Sequence, residues 1–362
     1  MPVFKQHTAL AVRGLRAFLN LEAGLTRGEI PVEGDQAHKL QQAEQRIEKQ
    51  REQIEKQRQE IKELRAGIAE SVNGLGGGGI RPENVAWIFG TARTGSTWLA
   101  FMMEELEGHA VWREPYVGEL FGRLYHNWVG EKHFETKHFI LGRHKESWLR
   151  SVRAFVLSEA SARFPGAEYL VVKEPNGSIG APLLVEALPE SRMILLVRDP
   201  RDVVASSMNA HSKGSWLYKR RVEQGGGRTA MFDMQADALV ETQANKYLQN
   251  VGNAREAYEA HEGPKALVRY EDLRANTLDE MKRIYSELGI RVSENELVAA
   301  VKKHAWENLP EEQKGEGKFH RKATPGGWRD DLTDEQVETV ERITAPLLEE
   351  FYPDGDGEEK PL

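Results

Sequence analysis

The run VAWIFGTARTGSTWLAFMMEEL, from Val85 to Leu106, constrains this chain more than any other stretch. Five apolar residues lead into a turn bounded by Gly90 and Gly95, and a helical pattern follows at once. A strand that turns so sharply into a helix exposes backbone N–H groups at the helix N-terminus, where unpaired donors and the helix dipole both favour an anion. The spacing is GxxxxG followed by Ser96-Thr97, whereas the nucleotide-triphosphatase loop carries lysine where Ser96 stands. Here the cation is Arg93, inside the turn, and the hydroxyls of Thr94, Ser96 and Thr97 add further donors. A purely structural strand-to-helix turn has the same outline, so the loop alone does not name a ligand.

Further along, short β-branched runs alternate with helical stretches. Strands are expected at Val85 to Phe89, Tyr169 to Val172, Met193 to Val197 and Ala266 to Tyr270, and amphipathic helices at Asp237 to Ala260 and Asp334 to Phe351. That alternation predicts a three-layer α/β/α domain around a parallel sheet, spanning 81–353. With 362 residues, 40% of them hydrophobic, the chain is long enough for one such core and a smaller appendage. The appendage is legible too. From Gln36 to about Ile68 a seven-residue repeat puts Leu40, Ile47, Ile54, Ile61 and Ile68 on one seam position and Ala43, Gln50, Gln57 and Leu64 on the other. A coiled coil over 36–71 that joins copies of the chain is therefore expected, with two and three strands both open. A helical segment over 1–35 precedes it; a glycine-rich linker over 72–80 follows it, and 354–362 reads as an acidic tail.

The net charge of −8 argues against a broad nucleic-acid or anionic-membrane partner, which calls for a positive field over a whole face. Any anion site must be local. The absence of cysteine excludes disulfides, thiolate ligands and cysteine nucleophiles. No secretory pattern or bilayer-spanning stretch is seen, so a cytoplasmic protein is expected. Leu10, Leu15, Phe18 and Leu19 could share one helix face, packed on the protein or lying on a membrane surface. Trp112, Tyr116, Phe121, Tyr125, Trp128, Phe134 and Trp148 concentrate between the loop helix and the next strand, where most read as core and some could meet an acceptor. His126, His133, His138 and His144 in the same stretch have no standard metal-ligand spacing.

Four segments together resemble the sulfotransferase superfamily that uses 3′-phosphoadenosine 5′-phosphosulfate, over roughly Asn84 to Pro353. GTARTGSTWL is similar to the family's 5′-phosphosulfate loop, which implies that role for Arg93, Thr94, Gly95, Ser96 and Thr97, with Trp98 beside them. RMILLVRDPRDVVASSM resembles its 3′-phosphate element, with Arg198 and Ser206 in the matching places. FHRKATPGGWRDDLT is similar to a third segment, so that Arg321 and Lys322 would close over the 3′-phosphate with Trp328 beneath; Ala323 stands where the family commonly has glycine. VRYEDL implies that Tyr270 borders the adenine pocket. The resemblance also implies a P-loop-like sulfotransferase fold, 3′,5′-adenosine bisphosphate as product and no metal. Two separate cationic cradles suit a donor that is anionic at both ends, and guanidinium groups suit phosphate oxygens.

For the chemistry, the resemblance implies Lys173 at the leaving group. The histidine that cytosolic members carry two residues further on is replaced by Pro175. The expected base is then Glu114, as in members with a carboxylate soon after the loop helix, and Glu174 is the second candidate. The acceptor would present a hydroxyl or, less readily, an amine on a carbohydrate, lipid or small molecule. Two other readings stay open: an ATP-dependent phosphoryl transferase on the same loop, and a non-catalytic coiled-coil scaffold with a nucleotide-binding domain.

Overall fold

Every residue of the strand VAWIFG is buried, and its alternate side chains face two different layers, as a central parallel strand requires. The computed structural model describes residues 79–128, 144–223, 230–315, 317–318 and 324–353, together with 49–50, 52–53 and 56. The chain divides into two compact units, Met1–Gly74 and Leu75–Leu362. In the first, the described positions are helical. Most of the expected coiled coil, the first helical segment, the linker up to 78, the acidic tail and the pair Arg321 and Lys322 lie outside the described residues.

In the second unit the elements run β1 (Val85–Gly90), α1 (Ser96–Glu104), β2 (His109–Arg113), α2 (Val117–Trp128), α3 (Lys145–Arg163), β3 (Tyr169–Lys173), α4 (Ala181–Ala187) and β4 (Arg192–Val197). There follow α5 (Pro200–Ala210), α6 (Trp216–Glu223), α7 (Ala236–Ala260), β5 (Lys265–Arg269), α8 (Tyr270–Ala275), α9 (Thr277–Glu287), α10 (Glu294–Lys303), α11 (Trp328–Asp331) and α12 (Asp334–Phe351). The sheet order is β2-β3-β1-β4-β5 and all four pairings are parallel. From β1 the chain moves to one edge and later to the other, so the reversal of winding falls at the centre of the sheet. Ligands of open α/β sheets bind in the crevice outside the strand C-termini at such a reversal.

The two faces of the sheet carry separate cores. Val85, Trp87, Phe89, Leu170, Val172, Met193 and Leu195 pack with side chains of α3, α4, α7 and α12. Ile88, Val171, Ile194, Leu196, Ala266 and Val268 pack with α1, α9 and α10. The expected three-layer architecture is the one observed. The expected strands agree closely with β1, β3, β4 and β5, but β2 was not anticipated. HAVWR is an edge strand with one buried residue, Val111, and it lacks the apolar run that marks the others.

Candidate active site

The loop after β1 needs glycine for two distinct reasons. Gly90 has φ +146°, and a Cβ there would lie 2.2 Å from the Leu196 carbonyl oxygen; Gly95 has φ +87°, and its Cβ would meet the Tyr270 ring at 2.6 Å. Only glycine tolerates both conditions. Arg93 also has a positive φ of 73°, a conformation that a non-glycine residue keeps only when its surroundings impose it. Thr94 Oγ1 donates to the Thr91 carbonyl at 2.8 Å, closing the turn from inside, while Ser96 and Thr97 open α1.

Five strands deliver their next residues to this one edge. Beyond β1 comes Arg93, beyond β2 Glu114, at the end of β3 Lys173, beyond β4 Arg198, and beyond β5 Tyr270. Register explains the convergence: Ile88 and Arg113 both pair with Lys173, and Val197 pairs with Arg269. On one side, Lys173 Nζ donates to Glu114 Oε1 at 2.5 Å and to Thr97 Oγ1 at 3.2 Å. The Lys173 side chain is 5% exposed and that of Glu114 34%, so the carboxylate is the half of the pair that meets solvent.

On the other side Arg93 Nε donates to Ser206 Oγ at 3.0 Å, and Arg198 Nη1 donates to the Arg93 carbonyl at 3.2 Å. The Arg198 guanidinium lies 4.4 Å from the centre of the Tyr270 ring and pairs with Asp202 at 3.4 Å. Burial works against its charge, but Tyr270, Asp202 and Glu271 more than offset this and raise its pKa. Arg198 Nε is buried with no hydrogen-bond acceptor among the described residues. A permanently charged, buried guanidinium with an unused N–H fits an anionic ligand oxygen.

Trp98 stands apart from this pair. Its Nε1 donates to the His304 carbonyl at 2.9 Å and its ring meets Tyr270 edge-on at 6.3 Å, so it braces the loop helix against the end of α10. Trp328 is stacked under Arg201, at 4.3 Å, and its main-chain N–H donates to Asp202 at 3.1 Å. Asp202 therefore serves both Arg198 and the segment that follows Arg321 and Lys322, since it also accepts the Gly326 N–H at 2.8 Å. Sequence reasoning missed Asp202, although its i,i+4 spacing from Arg198 was a visible signal. It also missed Asn250, whose Nδ2 reaches Thr91 Oγ1 and the Pro175 carbonyl, each at 3.4 Å. Nothing near Asn250 in the chain marks that role. Of the aromatics between α1 and β3, Trp112, Phe121, Tyr125 and Trp148 pack on the core, whereas Tyr116 is exposed and its hydroxyl donates to Glu114 Oε2 at 3.4 Å.

Glu174 behaves unlike Glu114. It is 1% exposed, and Oε2 accepts the Tyr116 N–H at 3.0 Å. Burial pushes its pKa up to about 8; the amides of Tyr116 and Gly118 oppose that rise, and the Glu114 charge adds to it. Glu174 Oε1 has no hydrogen-bond partner among the described residues. Glu174 is thus enclosed, whereas the Glu114 side chain is 34% exposed beside Lys173.

The family description "Sulfotransferase domain" matches residues 83–352, well over half of the chain. This chain belongs to the sulfotransferase domain family. Among curated proteins, this sulfotransferase-family chain is 28% identical over 148 residues to omega-hydroxy-beta-dihydromenaquinone-9 sulfotransferase Stf3 of Mycobacterium bovis, a stretch covering 41% of this chain and 35% of that protein. The chain thus spans about a third of the length of the curated relatives it matches. Among solved structures it is similar to mouse sulfotransferase SULT7A1 complexed with PAP, at 15% identity, covering 76% of this chain and 88% of that one with a TM-score of 0.48. It is also similar to sulfotransferase STF9 from Mycobacterium avium, at 14% identity, 75% and 78% coverage and a TM-score of 0.47. Among the described residues no group of three or more His, Asp or Glu side chains could hold a metal ion, and no helix is long and apolar enough to cross a membrane.

Proposed function

We propose that this chain is a sulfotransferase that takes the sulfuryl group of 3′-phosphoadenosine 5′-phosphosulfate and transfers it to an acceptor hydroxyl. The observation that carries the reading is the meeting of Lys173 Nζ with both Thr97 Oγ1 and Glu114 Oε1, which joins an anion loop, a buried cation and a solvent-facing carboxylate at one point. The donor set fits the nucleotide: the loop from Arg93 to Thr97 would hold the 5′ end, and Arg198 with Ser206 the 3′-phosphate, which Arg321 and Lys322 would also meet, as the family resemblance implies. Tyr270 would border the adenine.

When bound, the nucleotide supplies an activated sulfuryl group. The protein's own part is positional and electrostatic, as in phosphoryl transfer, because little covalent chemistry falls to the enzyme. Glu114 would take the proton of the acceptor hydroxyl as its oxygen bonds to the sulfuryl group, and Lys173 would meet the negative charge that gathers on the leaving nucleotide as that bond breaks. The mycobacterial relative's name describes a hydroxyl-bearing lipid substrate, which supports a hydroxyl acceptor here without specifying its class. Self-association through 36–71 and a cytoplasmic location belong to the same reading; light scattering of the full chain against one beginning at residue 75 tests the former.

Calorimetry with 3′,5′-adenosine bisphosphate and with Mg-ATP tests the nucleotide assignment. Binding of the bisphosphate alone is expected, because position 96 lacks the lysine that reaches β- and γ-phosphates. Binding of Mg-ATP alone would return the site to a phosphoryl transferase. Radiolabelled donor offered to glycan, lipid and small-molecule pools then reads activity and acceptor class together.

A further inference from the structure

We infer that Glu174 is a positioning residue, whose buried carboxyl holds the Glu114–Tyr116 turn in the shape that presents Glu114 to Lys173 and Thr97. The inference rests on the sulfotransferase reading for its catalytic meaning, but its structural part stands on geometry alone.

The turn is strained where it matters. Glu114 has φ 50° and Tyr116 φ 59°, two non-glycine residues in the left-handed region within three positions. Each such residue costs about 1–3 kcal/mol and persists only when its surroundings over-determine it. Pro115 between them has no N–H to contribute. The anchors are therefore the two remaining main-chain donors. Glu114 N–H donates to the Lys173 carbonyl at 2.8 Å, and Tyr116 N–H to Glu174 Oε2 at 3.0 Å. The Tyr116 side chain is 46% exposed, and its carbonyl is held separately by the Leu120 N–H at 2.8 Å, which leaves the Tyr116 N–H as the contact that only Glu174 supplies. Consecutive residues at the end of β3 thus hold both strained residues that follow β2.

Glu174 is itself tied to the phosphate-loop strand. Its N–H donates to the Ile88 carbonyl at 3.0 Å; its carbonyl accepts the Gly177 N–H at 3.1 Å and the Ser178 hydroxyl at 3.2 Å. Ser178 Oγ in turn accepts the Gly90 N–H at 3.0 Å, where the loop begins. One residue therefore references the base-bearing turn to the strand that carries the anion loop. Space for the carboxyl is made by glycine: a Cβ on Gly177 would lie 1.8 Å from Glu174 Oε1. Lys173 Nζ is committed to Glu114 and Thr97, and among the described residues no ammonium group pairs with Glu174. The raised pKa agrees with a neutral carboxyl near pH 7 whose carbonyl oxygen accepts the Tyr116 N–H, a role that a glutamine amide can reproduce.

The experiment compares Glu174→Ala with Glu174→Gln in the full chain, by turnover, by 3′,5′-adenosine bisphosphate affinity and by hydrogen exchange at the Tyr116 amide. Misplacing a catalytic group by about 1 Å can reduce rate about 10²-fold, so the alanine variant should lose turnover on that order. Its bisphosphate affinity should stay within about twofold of the parent, because no donor of the anion loop is removed. Exchange at the Tyr116 amide should accelerate in the alanine variant. Glutamine should restore both turnover and amide protection. Should the alanine variant fail to fold, Glu174→Asp, one methylene shorter, takes its place with the same expected direction. Parental turnover in the alanine or aspartate variant, or a glutamine variant as impaired as the alanine one, overturns the inference. If the parent chain transfers no sulfuryl group to any acceptor, the sulfotransferase reading fails separately; faster Tyr116 exchange in alanine, reversed by glutamine, still supports the holding role, and unchanged exchange sinks it.

Discussion

The turns that leave β2 and β3 lie side by side, each opens on a glutamate, and the two glutamates have opposite environments. Glu114 bends away through a left-handed φ, keeps about a third of its side chain in water and pairs with Lys173. Glu174 continues inward, loses nearly all contact with water and finds main-chain amides instead of a cation. The physical lesson concerns burial: a carboxyl pushed into a closed pocket near a like charge is held towards its neutral acid form, as the raised pKa of Glu174 shows. On the proposed reading, that difference suits the first to act as base and the second as a fixed hydrogen-bond acceptor.

The most direct way to break the comparison is Glu114→Gln. Turnover should fall about 10²- to 10⁴-fold while bisphosphate affinity measured by calorimetry is nearly retained; unchanged turnover would remove Glu114 from the chemistry. Lys173→Met should follow, with a loss of about 10²- to 10³-fold in kcat, the range seen when one preorganised electrostatic contact to a developing charge is removed. A loss confined to KM would mean that Lys173 only binds. Gly177→Ala sharpens the contrast from the structural side. Its methyl group would collide with Glu174 Oε1, so unfolding in urea should show a destabilisation of about 1–3 kcal/mol. Parental stability there would mean that the pocket around Glu174 is roomier than described.

A pH series separates the two glutamates next. Because the folded pKa of Glu174 lies above its unfolded value, the native state holds the proton more tightly. Its contribution to stability is complete below the ordinary carboxyl range and is lost as pH rises towards about 8. The slope attributable to it is at most about 1.4 kcal/mol per pH unit. Glu271 is raised by burial as well and carries the same sign, so Glu174→Gln should flatten the profile in part. An unaltered slope would show that Glu174 is ionised in the fold. The smallest effect is expected from Tyr116→Phe. It removes one long hydrogen bond to a solvent-facing carboxylate, worth about 0.5–1.5 kcal/mol, and should change kcat only several-fold.

Much of the fold was legible because its signals are local. The strands that became β1, β3, β4 and β5 announced themselves as apolar runs, and the loop after β1 by its two glycines. β2 did not, since an edge strand with one buried residue needs no apolar run. The site was legible as residue types and not as contacts. Arg93 and Ser206 are 113 positions apart, Lys173 and Glu114 are 59 apart, and Trp98 reaches across 206 positions to His304. Glu114 was within reach of sequence reasoning as a carboxylate after the loop helix, but its rivalry with Glu174 was undecidable there, since both are glutamates next to a strand end.

By itself, the sequence determined the parallel α/β plan and the glycine-bounded turn after β1, because strand periodicity and turn geometry are properties of neighbouring residues. Only the tertiary structure decided which glutamate faces water, what secures the strained turn and which end of Trp98 is engaged. Those outcomes depend on strand register and on burial between distant segments, and burial sets the dielectric in which each charge must exist.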